Sequence, residues 1–172
     1  DMMEPDAPTR AFAAFDADPE RTVRIRAAAI LSRSGEVTEE IEMAEPFRVR
    51  VSYDVNEDIE NMNVFCRIET PEGMGVLCSG DADYDPACLG LRRRGSYSAE
   101  FEVDGGLLEA GAYRLTLSAG VPFERIFDRE PDAVSFRIVD RSSRRRLWYP
   151  QTRPGLIGRE YPWVYEGRSP WA

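Results

Sequence analysis

Between Tyr97 and Ser118 the chain alternates twice. Tyr97, Ala99, Phe101 and Val103 interleave with Ser98, Glu100 and Glu102. After a glycine-bearing crossing from Asp104 to Gly111, Tyr113, Leu115 and Leu117 interleave with Arg114, Thr116 and Ser118. Side chains on a strand point to opposite faces with period two, so each run carries one apolar and one polar face. Two half-buried strands joined across Leu107, Leu108 and Gly111 mean a sheet that covers one core. They predict a β-sandwich whose outer faces are free to bind.

The same pattern recurs along the chain. Val23, Ile25, Ala27 and Ala29 alternate with Arg24 and Arg26 before a turn at Ser32 to Glu36. A short strand around Glu39 to Met43 leads through Pro46 into Phe47, Val49, Val51, Tyr53 and Val55. A further strand from Met62 to Glu69 turns at Pro71-Glu-Gly73 and returns through Val76 and Cys78. Asp81 to Gly95 reads as a long loop. Val121 to Asp132 is too polar and proline-interrupted for a long element, so the last clear strand is Val134, Phe136 and Ile138. About eight short strands at turn-marked spacing, with no helix longer than two turns, indicate an all-β immunoglobulin-like or jelly-roll sandwich.

Residues 1–20 read as a linker or tail with a helical turn at Ala11 to Phe15, residues 21–140 as the sandwich, and residues 141–172 as an extended arm. That arm carries Trp148, Tyr149, Tyr161, Trp163, Tyr165 and Trp171, and must pack on its own sandwich or on a partner subunit. Its aromatic content is more apolar surface than a free arm exposes, which points to a homodimer.

Composition removes most catalytic options. The chain has no His and no Lys; all 22 basic residues are Arg. Ser–His and Cys–His nucleophile pairs, His metal ligands, Schiff-base lysines and a P-loop lysine are therefore absent. Arg stays protonated and does not shuttle protons. With 31 acids some carboxylate pair will sit at glycosidase spacing by chance, and no motif singles one out. No catalytic residue and no cofactor are assigned. The net charge of -9 argues against nucleic acid. The triplets Arg92-Arg93-Arg94 and Arg144-Arg145-Arg146 read as solvated loop charge.

Cys66, Cys78 and Cys88 are an odd count, unsuited to a disulfide framework. A three-residue loop between Thr70 and Met74 would set Cys66 opposite Cys78 on the apolar face, as buried thiols or as a cross-strand disulfide. The opening Asp1 to Asp6 has neither a basic nor an apolar signal region, and a first residue of Asp suggests a piece of a longer chain. Asp81-Ala-Asp-Tyr-Asp85 and Asp54-Val-Asn-Glu-Asp58 have alternating oxygen ligands, but the sixth positions are Pro86 and Ile59 and the twelfth are Arg92 and Phe65. Both depart from a calcium-binding EF-hand loop, and no metal is assigned.

Four segments in order carry a family likeness: Ser34-Gly-Glu36 entering Phe47 to Tyr53; Asn61-Met-Asn-Val-Phe-Cys-Arg-Ile68 with its Pro-Glu-Gly turn; Leu108-Glu-Ala-Gly-Ala-Tyr-Arg-Leu-Thr-Leu117; and Phe136-Arg-Ile-Val-Asp140 followed by Arg153-Pro-Gly155 and Trp163. Together they resemble the C-terminal domain of Wzt-type ATPase subunits of ABC transporters that export O-antigen and related polysaccharides. The resemblance implies a non-catalytic sandwich that binds the exported glycan and forms a homodimer, sometimes by exchanging a terminal strand. It implies an ATPase domain and a membrane permease in the full system, with the domain cytoplasmic and peripheral to the inner membrane. The chain itself contains no ATP-binding motif. A structural or protein-interaction sandwich, or a carbohydrate-active enzyme of this fold, are the alternatives.

Sugars are held by an aromatic plate against the ring and planar polar groups on its hydroxyls. If Val64, Cys66 and Ile68 point inward, then Asn63, Phe65 and Arg67 point outward in that combination. The same Phe65 would also suit an edge covered by the arm or a dimer mate. Arg114 and Thr116 line an outer face in the same way, as ligand contacts or as solvated surface, and Tyr84 in the long loop is a further candidate glycan contact. Trp148, Tyr149 and Trp163 read as packing anchors.

Overall fold

Residues 9–149 and 153–167 are described in a computed structural model of the chain, and Trp171 and residues 1–8 lie outside them. The alternating segments form β1 (Phe12–Ala14), β2 (Val23–Leu31), β3 (Glu40–Glu42), β4 (Phe47–Val55), β5 (Asn63–Glu69), β6 (Gly75–Gly80), β7 (Gly95–Val103), β8 (Gly111–Val121) and β9 (Arg125–Val139). A single helical turn, α1 (Asp81–Tyr84), and two 3-10 turns (Pro86–Leu89 and Arg144–Leu147) complete the elements. They build an all-β sandwich with sheets ordered β1-β2-β4-β7 and β3-β9-β8-β5-β6.

The inner faces meet in one core. Phe47, Phe136, Ile25, Ile30, Ile68, Leu115 and Leu117 are almost wholly removed from water. Burying each such side chain contributes roughly 1.5–3 kcal/mol. Phe136 sits between Phe47 and Tyr113, with ring centroids 5.2 and 5.7 Å away. The Tyr113 hydroxyl donates to the Glu109 carbonyl at 2.7 Å, and burial, then the nearby Glu109 charge, pushes its pKa up to about 12.

Several local readings change in three dimensions. β7 and β8 do not share a sheet: β7 pairs with β4 and β8 lies between β5 and β9, so the Asp104–Gly111 crossing runs from one sheet to the other. Because β7 is an edge strand, its inward Tyr97 and Phe101 are only half-buried, whereas Tyr113 and Leu115 are core. In β2 a bulge between Ile25 and Ala27 changes the phase, and Ala28 and Ile30, not Ala27, continue the inner face. Ala11 to Phe15 contains a strand rather than a helical turn, because its backbone pairs with Ala27 to Ala29.

The segment Val121 to Asp132 is also not irregular. β9 begins at Arg125, and two register shifts against β8 absorb its polar and proline-bearing stretch. Pro131 has no N–H to give a ladder; beside it, the Asp132 N–H donates to Thr116 Oγ1 at 3.3 Å.

The hairpin of β5 and β6 turns as expected, with the Thr70 N–H donating to the Met74 carbonyl at 2.9 Å. A bulge then shifts the register by one, so Cys66 pairs with Ser79 and Cys78 with Arg67. The two cysteines therefore face opposite sides of the sheet: Cys66 is buried and Cys78 exposed. A one-residue slip exchanges faces, which is why the expected pairing fails.

Each Arg triplet holds one buried member. Arg92 donates to the Tyr53 hydroxyl at 2.8 Å, the Asp81 carboxylate at 3.0 Å and the Cys88 carbonyl at 2.7 Å. Arg145 is held by Glu109, with Asp140 at 3.5 Å. Neither is solvated loop charge; each fastens an irregular segment to the sandwich. The buried Asp128 does this between sheets, accepting from Arg21 at 2.5 Å, Arg24 at 3.0 Å and the Ile25 N–H at 2.8 Å. Removing one partner from such a buried cluster costs about 3–5 kcal/mol.

Candidate functional site

The outer face of the four-stranded sheet saturates itself. Glu100 accepts from Arg48 at 3.2 Å and from Arg50 at 2.6 Å, while Asp54 accepts from Arg26 and from Ser96, both at 2.7 Å. Burial opposes ionisation of Asp54, but the hydrogen bonds from Ser96 and Arg26 prevail and hold its carboxyl below the usual range. Ser52 reaches Ser98 at 3.3 Å. Cross-strand partners take up these polar groups before a ligand can.

The outer face of the five-stranded sheet is different. Strand register places Phe65 beside Gly80 on β6 and Ser118 on β8, with Arg129 of β9 beyond Ser118. One row along, Arg67 neighbours Cys78 and Thr116, and Asn63 neighbours Gly120. Five of the six residues expected from the sequence, Asn63, Phe65, Arg67, Arg114 and Thr116, thus share one face. Their convergence depends on the pairing of β5 with β8.

At the centre of this face the packing is open-ended. Asn63 is 5% exposed, and its buried Oδ1 has no hydrogen-bond partner among the described residues. Leaving a buried acceptor unpaired costs about 1–3 kcal/mol. Gly80 has no side chain for a local reason: a Cβ there would stand 2.9 Å from Asn63 Oδ1 and 3.0 Å from the Phe65 ring. The missing Cβ lets the Phe65 ring and the Asn63 amide come together over the β6 backbone.

A groove of about 470 Å³ runs beside Phe65, floored by Ser118 and Gly120 and walled by the β8–β9 turn. In that turn the Glu124 N–H donates to the Val121 carbonyl at 3.1 Å, and Phe123 takes φ of 65° with its side chain fully exposed. A phenylalanine in this backbone region stores roughly 1–3 kcal/mol of strain. In the sequence the signal for this turn is Val121-Pro-Phe-Glu124, where proline leads a turn with no glycine to take the positive φ.

The remaining candidates are placed as follows. Arg67 is paired with Glu69, and Arg114 lies 3.6 Å from Asp132. Thr116 is buried, and its oxygen accepts from the Asp132 backbone. Tyr84 is not on this face: it stands 97% exposed on α1, at the rim of a second cavity between the β6 and β7 edges. That cavity, about 670 Å³, reaches inward to Val51, Val64 and Cys66. Burial, then the nearby Cys78 and Asp81 charges, pushes the Cys66 thiol up to about 12, so it is protonated at neutral pH.

The acidic loop residues act as staples. Asp81 accepts from the Val64 N–H at 3.1 Å, Asp83 from the Gly80 N–H at 2.8 Å and Asp85 from the Ala87 N–H at 3.0 Å. Among the described residues, no group of three or more Cys, Asp or Glu side chains is gathered as a metal site. The open face presents the Phe65 ring and the guanidinium groups of Arg67 and Arg114, with the Asn63 amide oxygen buried behind them.

A family model described as the Wzt C-terminal domain matches residues 19–148. A crystal structure of the C-terminal domain of wzt superposes with a TM-score of 0.68 at 13% sequence identity, covering 92% of this chain and 90% of that one. A putative beta-galactosidase from Bacteroides fragilis gives 0.38 at 13% identity, covering 75% of this chain and 17% of that one. A beta-glucosidase mutant from Listeria innocua gives 0.36 at 11% identity, covering 65% and 16%. These last two scores are too low to carry an argument. No curated protein sequence matches the chain.

Proposed function

Since the chain belongs to the Wzt C-terminal domain family, we propose that it is a non-catalytic carbohydrate-binding domain that recognises an exported, O-antigen-like polysaccharide for an ABC transporter. The observation that supports this most is Phe65 laid across Gly80 beside the unpaired Asn63 Oδ1, at the edge of an open groove. A pyranose face would stack on the half-buried Phe65 ring, whose position over Gly80 is fixed by the buried Asn63 amide. Arg67 and Arg114 border the same surface, Thr116 supports it from below, and Tyr84 would meet only a glycan that reaches around the β6 edge.

In this reading binding is signalled to an ATPase domain and a membrane permease of the full system, with the domain cytoplasmic and peripheral to the inner membrane. Among the described residues no helix is long and apolar enough to cross a membrane. The domain acts as a homodimer in which the exposed aromatic residues of the arm, itself fastened to its own sandwich through Arg145 and residues 156–158, meet the second copy.

Calorimetric titration with the source organism's polysaccharide, paired with light scattering, tests the reading. A dimer binds, and Phe65→Ala lowers affinity about tenfold or more, roughly 1.4 kcal/mol, with its fold intact. A folded protein that binds none of the polysaccharide overturns it. A protein-interaction module is the second reading, favoured by Leu147 and Trp163, 90% and 83% exposed. It would replace the first if a protein partner, and no glycan, bound through the arm.

A further inference from the structure

We propose that the outer face carrying Phe65 selects glycans bearing an anionic substituent and that Arg129 reads it. The proposal rests on the glycan-binding reading above and names the class of sugar. Arg129 lies in the same cross-strand row as Phe65, separated from it by Ser118. With strands about 4.8 Å apart, the two residues are roughly 10 Å apart at their backbones. That distance suits a sugar ring on Phe65 with its substituent reaching across Ser118.

The charge state of the row singles out this arginine. Arg67 is neutralised by Glu69 and Arg114 by Asp132, while Arg125 is engaged with the Phe127 ring at 5.1 Å. Arg129 is exposed, and among the described residues its guanidinium has no ionic or hydrogen-bonding partner. Its sequence neighbours are both acidic, yet neither serves it. Strand alternation turns Asp128 and Glu130 to the opposite side of the sheet, where Arg24 takes both, at 3.0 and 2.5 Å. Arg129 is thereby left without an acid on the outer face that carries Phe65, on a chain of net charge -9. A planar guanidinium binds carboxylate or phosphate through paired hydrogen bonds, and no other group on this row offers that.

The test uses polysaccharide purified from the source organism in three forms: native, carboxyl-reduced, and dephosphorylated with hydrogen fluoride. Calorimetry is run on the wild-type chain and on Arg129→Gln, Arg129→Lys and Phe65→Ala. The native form is expected to bind at least tenfold more tightly than one of the stripped forms, and which one identifies the anion as carboxylate or phosphate. Arg129→Gln erases that difference while still binding the stripped form as wild type does, and Arg129→Lys keeps part of it. Equal binding of all three forms by wild type, still weakened by Phe65→Ala, overturns the anion assignment and leaves the glycan reading standing. A preference that survives Arg129→Gln also overturns it. If no form binds the folded protein, the glycan reading falls as well.

Discussion

The two outer faces of this sandwich are made from the same kinds of residue and end in opposite states. On the four-stranded sheet, Arg48 and Arg50 converge on Glu100 and Arg26 on Asp54, so charge meets charge across neighbouring strands. On the five-stranded sheet, an aromatic ring, a glycine, and an amide oxygen and a guanidinium without partners among the described residues share one face. The lesson is that a polar outer face is not by itself a binding face. What separates the two is whether the protein satisfies its own groups, since only unsatisfied ones gain by meeting a ligand.

Three substitutions probe this contrast, in falling order of effect. Gly80→Ala should damage the open face most, because its Cβ meets Asn63 Oδ1 at 2.9 Å and the Phe65 ring at 3.0 Å. Glycan affinity is expected to fall tenfold or more, with crystallography showing Phe65 displaced; unchanged affinity would detach the groove from the site. Asn63→Leu removes the unpaired acceptor, and in thermal unfolding the free domain should gain up to about 1 kcal/mol. Its glycan affinity should drop severalfold. A destabilised variant that binds normally would show that the buried oxygen is structural. Glu100→Gln, on the saturated face, should change stability by no more than about 1 kcal/mol and leave binding unchanged. A binding loss there would reverse the assignment of the two faces.

Much of the open face was legible. Phe65 and Arg67 were placed outward because Val64, Cys66 and Ile68 read as the apolar side of the same strand, and one strand's alternation is a local property. The fate of Thr116 was not legible, since it depends on an irregularity in β9 near Pro131. Tyr84 is expected in the loop after β6, but that loop's position is not legible, and the α1 turn sets it at the β6–β7 edge, away from the other candidates. In the sequence Arg129 stands between Asp128 and Glu130, two acids expected to neutralise it. In the Arg triplets, Arg93, Arg94, Arg144 and Arg146 are exposed as expected, while Arg92 is buried by Tyr53, Asp81 and Cys88 and Arg145 by Glu109 and Asp140, partners distant in sequence.

By itself the amino-acid sequence determined the class of fold, the absence of His and Lys chemistry, and which residues of each regular strand face outward. These follow from composition and from a period of two imposed by backbone geometry, which need no knowledge of neighbours. Only the tertiary structure decided that β7 and β8 belong to different sheets, that bulges separate Cys66 from Cys78, and that one outer face is saturated while the other is open. Those outcomes depend on pairing between strands distant in sequence, where a shift of one residue exchanges the partners and faces of every following side chain.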